Sequence, residues 1–130
     1  MGISSDLQRL IVARLKAAGP SVPGRVYDNP AETATMPYVS IGPSYWSTDD
    51  AECIEGRSEV VQIDIWASNR PNKAAAKDAT DEVAAALKGW SSEAIAMHPL
   101  RIALVRVMDD PAPGVVHGVV QVEALLESDQ

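Results

Sequence analysis

The side chains able to do chemistry are few and poorly grouped. His98 and His117 are the two histidines, one just before an expected strand and one at a strand's start. A metal held by imidazole needs further ligands at a matched spacing, and none accompanies this pair, which favours structural or surface roles. Asp49-Asp50 and Asp109-Asp110 present hard oxygen ligands, but neither has the spaced carboxylates and turn glycine of a calcium loop. Solvated turns are the simpler reading. Cys53, the single cysteine, sits among Glu52 and Glu55, whose charges oppose a thiolate. One cysteine also excludes an intramolecular disulfide and a thiolate cluster. No Gly-rich phosphate loop, HExxH or G-x-S-x-G motif occurs. The residues therefore assign no catalytic, cofactor-binding or metal-binding position, and an enzyme is disfavoured.

The elements that would position any surface come next. The stretch Glu59-Val60-Val61-Gln62-Ile63-Asp64-Ile65-Trp66 alternates strictly. Val61, Ile63 and Ile65 form one apolar face of a strand, while Gln62 and Asp64 lie on the other, which is expected to be wet or pressed on a polar partner. Ser68 to Asn72 reads as a turn, and a helix follows over about Asn72–Lys88. Ala76, Ala79, Thr80, Val83, Ala86 and Leu87 line its apolar side, with Gly89 placed as a C-cap. Lys73 and Lys77 come early and Asp81 and Glu82 late, poorly matched to the helix dipole.

Upstream, Ser5 and Gln8 have capping-box spacing, and Leu7, Leu10, Ile11, Leu15 and Ala18 share a helical face that ends at Gly19-Pro20. Arg14 points into that apolar stripe. It is read either as a snorkelling side chain or as a charge paired across a subunit boundary. Arg25-Val26-Tyr27 is a possible short strand, and Pro37 to Gly42 is another, with Val39 and Ile41 inward. Residues 43–57 form a long connection holding Tyr45, Trp46, Asp49, Asp50, Glu52 and Glu55. Loops of this length are often functional. Two large aromatics beside four carboxylates suggest a contact surface; the alternative is a twisted hairpin whose aromatics cover the sheet edge. Ser91 to Pro99 is a short helix or a loop. Leu100–Met108 and His117–Glu127 are strands joined by a turn at residues 109–114, hence antiparallel neighbours.

The implied fold class is α/β (α+β): a mixed, mostly antiparallel sheet of about four to five strands with two helices packed on one face. The chain of 130 residues fits one domain, 1–130, with a long projecting loop at about 43–57. Acidic residues number 18 against 11 basic, a net charge of −7. That sign argues against wrapping nucleic acid, which needs clustered Lys and Arg. No basic-plus-apolar leader opens the sequence and no apolar run is long enough to span a bilayer, so a cytoplasmic origin without membrane contact is the expectation.

One resemblance spans nearly the whole chain. Arg25-Val26-Tyr27-Asp28, Pro37-Tyr38-Val39-Ser40-Ile41-Gly42 and Ile63-Asp64-Ile65-Trp66-Ala67-Ser68 occur in that order. The helix Ala79–Leu87, then Asp110 and His117-Gly118-Val119-Val120-Gln121-Val122, complete the set. Order and spacing together resemble the small tail-completion (tail-terminator) family of long-tailed bacteriophages, whose relatives occur in phage-derived gene transfer agents. The resemblance implies a non-enzymatic virion protein, assembled in the bacterial host cytoplasm and placed at the tail neck. It further implies a homohexameric ring that caps the head-proximal end of the tail tube. The implied partners are the major tail tube protein, the head-side connector or neck protein, and DNA that passes without specific binding. On that reading Arg14, Tyr45 and Trp46 are subunit or tube contacts, and Asp49, Asp50, Glu52 and Glu55 are rim or channel residues. An acidic lumen would keep a passing duplex from adhering. The competing reading is a small adaptor or binding module of the head–tail neck, or another non-enzymatic oligomeric binding domain, which could remain monomeric alone.

Overall fold

The computed structural model describes residues 2–18, 25–28, 34–48 and 56–127. In chain order these form helix α1 (Ile3–Ala18), strands β1 (Val26–Tyr27), β2 (Tyr38–Thr48) and β3 (Gly56–Ser68), helix α2 (Ala74–Leu87), and strands β4 (Arg101–Asp109) and β5 (Val115–Glu127). The strands make one five-stranded sheet in the order β1-β2-β3-β5-β4. Only β1 and β2 run parallel; every other neighbouring pair is antiparallel. This is the expected α+β architecture, with both helices on one face of an open mixed sheet.

The alternation in β3 sets the layers. Val61, Ile63, Ile65 and Ala67 are buried under the helices, joined by Val120, Val122, Ala124 and Leu126 of β5. Leu7, Ile11 and Leu15 of α1 close this core together with Ala79, Val83, Ala86 and Leu87 of α2. The alanines let α2 lie close to the sheet, and Gly118 takes that closeness furthest. A Cβ on Gly118 would collide with the Thr80 hydroxyl and sit 3.3 Å from the Ile65 Cβ. Thr80 is held there by donating its hydroxyl to the Ala76 carbonyl at 2.7 Å.

Several boundaries differ from those read in the sequence. Helix α1 begins at Ile3, so Ser4 and Ser5 lie in its first turn and the Ser5 hydroxyl donates to the Gly2 carbonyl at 3.0 Å, not as the cap of a capping box. Helix α2 starts at Ala74, whose amide donates to Asn72 Oδ1 at 2.8 Å. Past its end Gly89 takes φ +73° and bonds the Leu100 carbonyl at 2.9 Å, as expected of a C-terminal glycine. Residues 91–99 are loop, pinned to β5 by His98 N–H to the Leu125 carbonyl at 3.0 Å.

The largest correction concerns residues 43–57. Pro43–Thr48 is not loop: it continues β2 and pairs with Arg57–Val61 of β3, after a bulge between Ile41 and Ser44. The bulge at Gly42-Pro43 restores the alternation one step out of phase, and a proline there loses no ladder donor. The connection therefore narrows to residues 49–55, which lie outside the described residues.

Gly118→Val should drive Thr80 and α2 off the sheet. Overpacking of this kind typically costs about 1–3 kcal/mol, so the urea midpoint is expected to fall with the far-ultraviolet circular dichroism unchanged. An unshifted midpoint would show that α2 does not press on β5.

Candidate functional site

Two features stand out on the sheet: a hairpin arm at one end and a polar network on the face away from the helices. The arm is the extension of β2 and β3. Tyr45 is 67% exposed and Trp46 50% exposed. They point to opposite faces, Tyr45 paired with Val60 and Trp46 with Glu59. Trp46 thus lies on the helix side, where the Arg57 guanidinium sits 3.9 Å from its ring centre, a cation–π stack.

Arg57 ties that aromatic to the body of the fold. Its Nη1 donates to Ser4 Oγ at 3.0 Å, and Ser4 Oγ donates to Glu59 Oε1 at 2.7 Å. Glu59 is only 2% exposed, and Arg57 Nη1 lies 3.9 Å from its carboxylate. A buried carboxylate is costly unless hydrogen-bonded and compensated. Here the compensation is a hydroxyl in the first turn of α1, the positive end of the helix dipole, and a guanidinium. The relay Trp46–Arg57–Ser4–Glu59 therefore fixes the root of the arm to α1.

The second feature is the face of Gln62, Asp64 and Trp66. Asp64, 7% exposed, accepts from Gln62 Nε2 at 2.9 Å and lies 2.7 Å from His117 Nε2. Gln121 Nε2 donates to Gln62 Oε1 at 3.1 Å. The Trp66 indole stacks on His117 at 3.9 Å and 10°, and its N–H donates to Ser40 Oγ at 3.0 Å. Gly42 leaves the room this requires, since a Cβ there would strike the Asp64 carboxylate. Among the described residues no helix covers this face; its polar groups satisfy one another. The sequence marks the wet side of β3, but the partners on β5 depend on register, which the sequence does not state.

The other residues singled out above fall as follows. Arg14 joins the two helices of one chain: its Nε donates to the Ala86 carbonyl at 2.9 Å and its guanidinium lies 5.9 Å from the Trp90 ring centre. Its place in the apolar stripe is thus explained without a subunit boundary. Lys73, early in the α2 region, pairs with Asp109 at 3.0 Å, and Asp110 Oδ2 accepts the Ala112 amide at 2.9 Å, so this aspartate pair builds a turn. His98 is exposed and remote from His117's partners. Asp49, Asp50, Glu52, Cys53 and Glu55 lie outside the described residues. Among the described residues no three His, Cys, Asp or Glu side chains converge as metal ligands, and no helix is long and apolar enough to cross a membrane.

The comparisons match this geometry to a family. The family profile described as Tail completion protein gp17 matches residues 9–127, from α1 to the end of β5. A search of curated protein sequences gave no match. Among solved structures, a chain of the "Virion of native gene transfer agent (GTA) particle" superposes with a TM-score of 0.84. It is 21% identical in sequence, and the alignment covers 98% of each chain. At that identity the likeness is one of fold.

Arg57→Ala should leave Glu59 buried with Ser4 as its sole close partner among those described above. Arg57 donates to Ser4 Oγ and sets its charge 3.9 Å from the Glu59 carboxylate; removing that support from a buried charged group costs about 1–3 kcal/mol. Arg57→Lys would keep the charge but not the planar stack. Denaturation midpoints together with tryptophan emission separate the two effects: Arg57→Ala lowers the midpoint and shifts emission, whereas Arg57→Lys mainly shifts emission. Unchanged midpoints in both variants would remove Arg57 from the support of the arm.

Proposed function

The chain belongs to the tail completion protein gp17 family, and from that premise we propose that it is a non-enzymatic structural protein of a phage-type tail. In this reading it caps the head-proximal end of the tail tube as a ring, most simply a homohexamer, around the DNA channel. It joins the tube to the connector on the head side. The observation that carries the proposal is the family match across residues 9–127.

The geometry is compatible with such a role. The arm puts Tyr45 and Trp46 in solvent at one end of the sheet, and large aromatics are the residues that anchor interface centres. Arg57 and Ser4 hold that arm in place, so less ordering is needed on contact. The net charge of −7 suits a wall that DNA must pass without sticking. Asp49, Asp50, Glu52 and Glu55 follow the arm in sequence and would supply rim or channel charge.

Mass measurement at several concentrations, with and without isolated tail tubes, tests the ring. A strict monomer that also fails to bind tubes would end this reading. Within it, Trp46→Ala should leave the subunit folded, because half of that side chain is already in solvent, while weakening ring or tube assembly by about 2 kcal/mol or more. Neutralising Asp49 and Asp50 should weaken assembly less and change mainly its salt dependence. A thermal melt of each variant beside a tube-capping assay separates folding from assembly.

A further inference from the structure

Both edges of the sheet are open over the same level. On one side β1 pairs with β2 only at Val39 and Ser40, so β2 from Ile41 to Thr48 has no outer neighbour among the described residues. On the other side β4 pairs with β5 alone among the described residues. Following the registers across the sheet, Ile41 lies level with Ile63, Val120 and Val105, and Tyr45 lies level with Val60, Glu123 and Arg101. The two free stretches therefore overlap in height from Ile41 to Tyr45 on one edge and from Val105 to Arg101 on the other, and the arm runs on past the start of β4.

Strand β4 is a poorly guarded edge. Leu104 and Val105 point to opposite faces and each is 40% exposed; Ile102 and Val107 pack against the core under α2, but the middle of the strand is uncovered on both sides. Arg101 and Arg106 are its charges before the terminal Asp109. A long apolar edge strand is a template for pairing with another chain, and natural proteins seldom leave one open. The arm offers the matching edge, with free main-chain groups over Ser44–Thr48 and the exposed Tyr45 and Trp46 to lie on aliphatic Leu104 and Val105.

We propose that β4 of each copy is covered by the β2 arm of the next copy, so that the sheet continues across the subunit boundary. The occupant is a second copy of this chain. The contact joins unlike edges, which makes it heterologous, and a heterologous contact closes into a ring when its rotation closes. Rotation about an axis along the strands preserves strand direction. Strands β2 and β4 run oppositely within one sheet, so the junction is antiparallel. This proposal rests on the ring reading above and adds where the ring is joined.

Cysteine cross-linking tests it in a Cys53→Ser background. Tyr45, Arg101, Leu104 and Arg106 all lie on the face away from the helices. Tyr45→Cys is combined in turn with Arg101→Cys, Leu104→Cys or Arg106→Cys, which allows for the register shift that strand tilt brings. Within one chain these positions are three strand spacings apart, roughly 14 Å, beyond the roughly 7 Å that a disulfide can bridge. Mild oxidation of protein alone and on tail tubes is expected to give a ladder ending at the ring mass for at least one double variant, and for neither single variant. Rings by mass with no cross-link from any pair would overturn the edge junction and leave the ring standing. Absence of rings in both conditions would remove the ring and this junction together. Linkage of the β4 cysteines to the tube protein in place of the arm would also overturn the proposal, making β4 a tube contact.

Discussion

The antiparallel pairing of β3 with β5 is the constraint on which the rest of the structure depends. It runs without a break from Gly56 opposite Glu127 to Ser68 opposite Val115. Because strand side chains alternate, this one register sorts the residues of both strands at once. Val61, Ile63 and Ile65 fall on the same side as Val120, Val122 and Ala124, and the helices follow them. Gln62 and Asp64 fall on the same side as His117 and Gln121, and the polar network follows them. A slip of one residue would carry the aliphatic side chains to solvent and bury the amides and carboxylate. Core and network are two consequences of one pairing.

The periodic parts of this design are legible in the sequence. Strand β3, the alanine face of α2 and the closing hairpin all repeat with the period of their structure, and each was assignable to its element. Residues 43–48 were not. Pro-Ser-Tyr-Trp-Ser-Thr has no apolar alternation, since both of its faces are exposed and no core selects one. The stretch is strand because β3 offers it a ladder, and tertiary pairing overrides weak local preference. The partners of Arg14 within the chain are hidden for a related reason. The helical wheel places it in the apolar stripe, but only the crossing of α1 over α2 brings the Ala86 carbonyl within reach. The Asp64–His117 pair spans β3 and β5 in the same way. Sequence parity marks the face, and register names the partner.

The buried charge at Glu59 is a further cost that a minimal core would avoid. A leucine there would pack against α1 without needing Ser4 or Arg57. The carboxylate instead makes the position of the arm depend on helix α1, through the hydroxyl of Ser4 and the guanidinium that stacks on Trp46. Buried polar groups of this kind contribute orientation more than stability. The arm carries two exposed aromatics and would otherwise be free to bend about the bulge at its base.

The bulges address a difficulty that open edges create. A flat sheet with two free edges would stack edge to edge without limit, since each added copy presents the same edge again. In this protein β2 is bulged between Ile41 and Ser44 and β4 between Ile102 and Leu104. Those two irregularities stand at the same level, because Ile63 and Val61 connect through Val120 and Val122 to Val105 and Ile102. A bulge bends its strand and raises the local twist. With one at each edge, both edge strands depart from a regular ladder along a single line. Bends of this kind also make a flat, unlimited edge-to-edge series harder to build.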